Sequence, residues 1–437
     1  MRNLLLPLIV LLTLPAFHSV AAKESVVTGS NAVVLTYQRI GERRHSKYVT
    51  ERNFRAHLDY LQNNGFRVWP LGRIVRRLRT GQTIPDKTVA ITFEHTHPSI
   101  YEFAYPLLKQ RNWPFTVFVV PDKVDQIPAA NMSWEQMREM KKAGAAFANA
   151  SINHIHMVRP LRGYPPRAWV HYVRDNIFNA QARLQEELGS DTNSLRLFSY
   201  PYGEYSTALA NILAEIGFTS FGQHPGAINN HSDLRGLPRF MLEYHNSSPE
   251  HFANRVNSVS LLINKSTPWN PHVTRGRSPS LSVNLEGDRP APKYLSCNTR
   301  EGHHVQVTWK NKAHTAFELT YPGNLNKGYN YYQCTSRFDG SQRLYWFSQP
   351  WVIARTTQAS IKTPEEQEAE EQAKDLKEVQ ESGNNGDQPA APVSPTAPVA
   401  PAPTTPAPPS AGTGIAEPPA ATEPAPLPVT VPPPVQE

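Results

Sequence analysis

Val89-Ala90-Ile91-Thr92-Phe93-Glu94-His95 is a continuous apolar run that ends abruptly in an acid and an imidazole. Apolar residues on successive rather than alternate positions predict a strand buried on both faces, the situation of a parallel sheet. The surrounding sequence repeats the same rhythm. Upstream, Val33-Val34-Leu35-Thr36-Tyr37 is a second such run, followed by a helical pattern over 53–63. Downstream come a helix over 100–111, a strand over 115–120, helices over 134–143 and 168–188, a strand at 197–200, a helix over 206–216 and a last strand at 219–222. Strands separated by helices predict a parallel sheet, and so many repeats favour a β/α barrel with its chemistry at the carboxyl ends of the strands.

On that placement Glu94, His95 and His97 crowd the end of one strand. Asn153-His154-Ile155-His156 follows the next strand-like segment, near 145–149, and on an extended chain His154 and His156 point the same way. His95 with His154 or His156 would make an all-imidazole zinc site of the kind that activates water. Histidines at such spacing also serve as solvated or structurally hydrogen-bonded residues, and spacing alone leaves both readings open.

After 257 the pattern changes to alternation around 305–309, 316–319, 329–334 and 344–347. A small antiparallel sandwich over 293–356 is expected, joined to the barrel by a linker over 258–292. Cys297 and Cys334 are the only cysteines of the 437 residues. Both fall in this part, and in an exported chain they are expected to form a disulfide. Its aromatic residues suit a core and, as the second use, stacking on sugar rings.

The ends of the chain set the compartment. Arg2 precedes an apolar run from Leu4 to Phe17, and Ser19-Val20-Ala21-Ala22 supplies small residues for cleavage, so 1–22 reads as a signal peptide. The run is shorter than the roughly 20 apolar residues of a membrane span, and none is expected after cleavage. Residues 357–437 are first charged, then Pro-, Ala- and Thr-rich, a composition that predicts a disordered tail. The formal charge of +7 includes a mostly acidic tail, so the body is more basic still. An anionic envelope surface is a fitting partner; nucleic acid is not expected, because the chain is exported and carries no nucleic-acid motif. The stretch Arg73–Arg79 reads as a solvated helix face. The expected location is periplasmic or envelope-associated.

Three stretches give the chain a family likeness. Val89-Ala90-Ile91-Thr92-Phe93-Glu94-His95 is similar to a strand ending in Thr-Phe-Asp-Asp, Asn149-Ala150-Ser151-Ile152-Asn153-His154 falls on a His-Ser/Thr-x-x-His pair, and Phe198-Ser199-Tyr200-Pro201-Tyr202-Gly203 matches a third motif. Leu35-Thr36-Tyr37-Gln38-Arg39-Ile40 and Leu237-Pro238-Arg239-Phe240 agree with the opening and the end of the same domain. Over 33–257 the chain resembles the polysaccharide deacetylases, carbohydrate esterase family four, whose fold is called the NodB-homology domain. The resemblance implies an α/β fold, a distorted (β/α) barrel at 32–257, followed here by the small all-β sandwich-like domain and the disordered tail. It also implies a metal-dependent N-deacetylase that hydrolyses the acetamido groups of an N-acetylated polysaccharide.

Carried over residue by residue, the resemblance makes Glu94 the base and puts His95 and His154 at ligand positions for zinc or another divalent metal, and a rebuilt site would add His156 or His97 as the third ligand. Tyr200, Pro201 and Tyr202 would line the substrate, a backbone amide near Tyr202 would hold the oxyanion, and His245 would be the acid. The departures are specific. Glu94 is one methylene longer than the family Asp, His95 replaces an oxygen ligand, Gln38 replaces a His, and Ala150 puts a methyl group where a metal-binding His belongs. Two outcomes stay open. Either the site is rebuilt around a metal, or hydrolysis is lost, no metal is bound, and the barrel serves as a glycan-binding or scaffolding module.

Overall fold

The computed structural model describes residues 30–42, 44–158, 166–189, 195–273, 278–286, 292, 294–337 and 343–353. The expected signal peptide and tail lie outside these residues. Among the described residues no helix is long and apolar enough to cross a membrane.

The strand that ends at Glu94 spans Thr88–Glu94, and all seven of its residues are buried. Its two faces serve two cores. Val89, Ile91 and Phe93 pack with Phe54, Leu58 and Leu61 of the helix Glu51–Asn63. Ala90 points the other way, to Val34, Phe118, Ala148 and Phe221 from neighbouring strands. Side chains alternate along a strand, so Thr92 and Glu94 share the face of Ala90 and look into the barrel.

In the main sheet Ala32–Tyr37 lies beside Thr88–Glu94, followed in order by Thr116–Val119, Ala146–Asn149, Leu197–Ser199 and Thr219–Phe221. Every one of these pairings is parallel. Ala227–Ile228 adds an antiparallel edge on Ala32–Val33. The margins then meet through one short segment, because Leu237 bridges Phe221 while Phe240–Met241 pairs with Leu35–Thr36. The sheet is curled into a distorted barrel, as expected. Leu71, Ile74, Val75 and Leu78 of the helix Leu71–Arg79 pack into the inner core. Arg73, Arg76 and Arg79 on the same helix are exposed, which is the solvated face the sequence predicts.

Helix starts follow their caps: Thr50 accepts from the Asn53 amide, and Ser133 forms a reciprocal capping box with Gln136. The helix expected over 100–111 divides into a π-helical turn, Ile100–Ala104, and an α-helix, Tyr105–Gln110.

Two further sheets follow. One holds Val259–Ser260, Tyr345–Ile353, Gly328–Arg337 and Tyr294–Thr299, with His272–Val273 alongside; the other holds Ile263–Thr267, Leu281–Leu285, Ala316–Thr320 and Gln306–Trp309. Leu281, Val283, Phe317 and Leu319 of one sheet share a core with Cys297, Tyr332, Cys334 and Trp351 of the other, as a sandwich does. Cys297 and Cys334 sit directly opposite each other on paired strands and form the disulfide. The stretch 258–292, read as a linker, supplies strands to both sheets. Its strand Ile263–Thr267 is short, largely exposed and polar, so it carries little hydrophobic periodicity. The sandwich is fastened to the barrel by Arg343, which pairs with Asp86 at 2.8 Å and donates to the Asn257 carbonyl, and by Trp346 packed edge-on against Phe240.

Candidate functional site

Glu94 sits at the carboxyl end of its strand with its side chain 1% exposed. Its Oε1 accepts a 2.7 Å hydrogen bond from the Ser199 hydroxyl and lies 2.5 Å from Arg239 Nη1, an ion contact rather than an aligned hydrogen bond. Arg239 is fully buried. Its Nε donates to the Gly222 carbonyl, its Nη2 donates to the Ser199 hydroxyl, and its guanidinium lies over the rings of Phe118 and Phe221. The acid of the expected site therefore has a fixed counterion. Arg239 comes from the segment that joins the sheet margins. Sequence reasoning noticed it only as a fold marker; the available signal was a lone arginine in an otherwise apolar stretch.

Beside this pair the rim is built of rings. His95 and His154 meet edge to face with centroids 4.4 Å apart. Tyr202 lies 4.5 Å from His154, and His156 stacks on Tyr202 at 4.1 Å with 16° between the planes. Left-handed backbone produces this crowding: His95, Ser151, His154 and Tyr202 are four of the seven non-glycine positive-φ residues among the described ones. Such conformations persist where surrounding structure enforces them, and they concentrate at functional sites. Ser151 is held by its amide donating to Asn149 Oδ1, and its hydroxyl accepts from the His154 amide. Gly203, at φ +71°, has no alternative, since a Cβ there would lie 2.8 Å from Gln223 Cβ.

His95 Nδ1 is buried and has no hydrogen-bond partner. Burial holds this imidazole well below its ordinary value, and the positive charges of Lys123, Lys47, Arg39 and Arg239 add to that. His156 Nδ1 is 2.7 Å from Oε2 of Glu204, which is 2% exposed. Glu204 was not singled out from the sequence.

The remaining expected residues are placed as follows. Tyr200 is fully buried, donates its hydroxyl to the Arg235 carbonyl and stacks on Tyr205, so it supports the motif from below. Pro201 is buried beside it. His97 turns to the Ser99 hydroxyl and to Tyr48. His245 lies on a short turn with its side chain 67% exposed, 3.6 Å from Glu243.

The residues present do not fit the metal centre that the family likeness implies. Among the described residues no three of His, Cys, Asp and Glu converge as a metal-binding group. His156 is committed to Glu204 and Glu94 to Arg239. Ala150 is 1% exposed and packs in the inner apolar core. The three-imidazole arrangement expected of His95, His154 and His156 is replaced by two packed imidazoles with the Tyr202 ring against the third.

The sheet is curled and largely parallel, an acid and histidines stand at its strand ends, and residues 81–221 match the polysaccharide deacetylase family model. The chain is 24% identical over 209 residues to YxkH of Bacillus subtilis (strain 168), covering 47% of this chain and 69% of that protein. It is 25% identical over 239 residues to the poly-beta-1,6-N-acetyl-D-glucosamine N-deacetylase of Escherichia coli (strain K12), covering 47% of this chain and 35% of that enzyme. Among solved structures, IcaB from Ammonifex degensii superposes with a TM-score of 0.45 at 28% identity, over 52% of this chain and 96% of that one.

Proposed function

We propose that this chain binds an N-acetylated polysaccharide of the cell envelope or extracellular matrix through the rim of its barrel, without the metal-dependent hydrolysis of acetamido groups. The observation that carries this reading is the donor set. Ala150 offers a methyl group at the family's ligand position, and Glu94 is already neutralised by Arg239. The glycan class is supported by the relatives, among them enzymes of Escherichia coli and Staphylococcus aureus named for poly-beta-1,6-N-acetyl-D-glucosamine. The rim itself suits a sugar, because the half-buried, mutually stacked rings of His156 and Tyr202 give it an apolar edge beside which a pyranose can pack. An exported location agrees with the reading of residues 1–22 as a signal peptide.

One observation favours a second reading. His95 Nδ1 is buried without a hydrogen-bond partner, and its ring lies 4.4 Å from that of His154, the histidine kept at the family's ligand position. One pair of measurements separates the readings. Binding of a β-1,6-linked N-acetylglucosamine oligomer is followed by calorimetry with and without chelator, and acetate release is assayed in the presence of zinc. Chelator-resistant binding without acetate is the expected result. Acetate release, with one zinc per chain that disappears in His154→Ala, would establish the enzyme instead.

A further inference from the structure

Glu204 is an acid with almost no access to water, and its carboxylate has one close partner at the rim, His156 Nδ1 at 2.7 Å. A carboxylate only accepts hydrogen bonds, so the imidazole hydrogen resides on Nδ1. In the neutral ring Nε2 then carries the lone pair. The side chain of His156 is 30% exposed while its Nδ1 edge is turned to a buried partner, which leaves the Nε2 edge facing outward. The ring is held in that attitude by its stack on Tyr202. Tyr202 in turn is fixed by its left-handed backbone and by the close approach of Gly203 to Gln223. Burying a carboxylate has a desolvation cost that an apolar residue in the same place would avoid. What the carboxylate adds is control over which nitrogen faces out.

We infer that His156 is a specificity-determining residue: Glu204 fixes its tautomer, and Nε2 accepts a hydrogen bond from a donor on the bound sugar, either the acetamido N–H or a ring hydroxyl. Tyr202 positions the imidazole and forms the floor beside it. The inference rests on the glycan reading above and assigns to His156 a role in recognition in place of metal binding.

The test is calorimetric titration of the full chain with a β-1,6-linked N-acetylglucosamine oligomer and with a β-1,6-linked glucose oligomer of the same length. His156→Ala weakens binding about tenfold, the effect of one well-placed hydrogen bond, and Glu204→Leu does the same. Glu204→Gln keeps a carbonyl that accepts from Nδ1–H and stays within about threefold of the wild type. The double variant His156→Ala/Glu204→Leu is no weaker than His156→Ala, because the two residues act as one. A loss confined to the acetylated oligomer assigns the acetamido N–H, and a loss with both assigns a hydroxyl. Imidazole 15N spectra give a readout that needs no ligand: the Nδ1-protonated tautomer in the wild type and Glu204→Gln, and a tautomer mixture in Glu204→Leu. The inference is overturned if His156→Ala binds within about twofold of the wild type, or if the wild-type ring is protonated at Nε2 alone. A wild-type chain that binds neither oligomer overturns the glycan reading itself, and this inference with it.

Discussion

Arg239 places its guanidinium 2.5 Å from the carboxylate of Glu94, and both side chains are buried. The pair joins the strand most typical of the family to the segment that draws the sheet margins together. Ser199 ties the two by donating to the acid while accepting from the arginine.

Removing one member of such a pair leaves the other charged and buried. Arg239→Met should therefore destabilise the chain by about 3–5 kcal/mol, measured by urea unfolding. Glu94→Gln/Arg239→Met should recover most of that loss, because both charges are then gone. Equal instability of the single and double variants would mean that Arg239 acts mainly through its contacts with Phe118, Phe221 and the Gly222 carbonyl.

Ala150 is packed among apolar side chains of the inner core. Restoring the family histidine with Ala150→His should overpack that core at a cost of about 1–3 kcal/mol. Thermal unfolding with and without zinc is the check. The melting temperature should fall and zinc should not raise it; stabilisation by zinc would show that residue 150 faces the His95–His154 pair after all.

Two buried histidines make the fold sensitive to acid. Burial lowers His57 to about 4, the hydrogen bond to the Ser247 carbonyl opposing the shift, and lowers His224 to about 3, with Arg239 adding to the effect. The unfolded chain protonates these groups near their ordinary value of about 6.5, so between there and the folded values it binds more protons than the native state. Their contribution is complete above about pH 6.5 and is lost progressively as pH falls toward 4 and then 3. For His57 alone the loss is on the order of 3 kcal/mol. Urea midpoints at pH 7, 5 and 4 should decline in that order, and His57→Gln should be less stable at pH 7 but show a shallower decline.

The disulfide closes a loop of 37 residues within the sandwich. Cys297→Ser/Cys334→Ser should lower the stability of that domain by about 3–4 kcal/mol. Near-ultraviolet spectra and oligomer titration would check that the loss stays in the sandwich, since the rim rings belong to the barrel.

The barrel was legible because Val89–Phe93 and its neighbours carry the continuous apolar runs that a strand covered on both faces requires. Its acid was legible for a related reason: alternation from Ala90 through Thr92 points Glu94 inward. The sandwich was legible where Tyr329–Cys334 alternates clearly, and missed over 258–292, where Ile263–Thr267 is mostly polar and exposed. Arg239 and Glu204 escaped notice as site residues because their roles depend on contacts with partners 145 and 48 positions away. No local pattern encodes such a pairing. The same holds for His156, whose spacing from His154 suggested a shared ligand, whereas a turn through left-handed residues sends its nitrogen to Glu204.

The segment from Leu237 to Met241 also bears on the order of assembly. It meets Phe221 nearby in sequence on one side, and on the other Leu35 and Thr36, roughly two hundred residues away. Contacts that close so long a loop carry a large entropic cost and make folding slow. Because Arg239 lies on this segment, the counterion of Glu94 comes from the element whose strand pairing spans the longest stretch of chain in the main sheet.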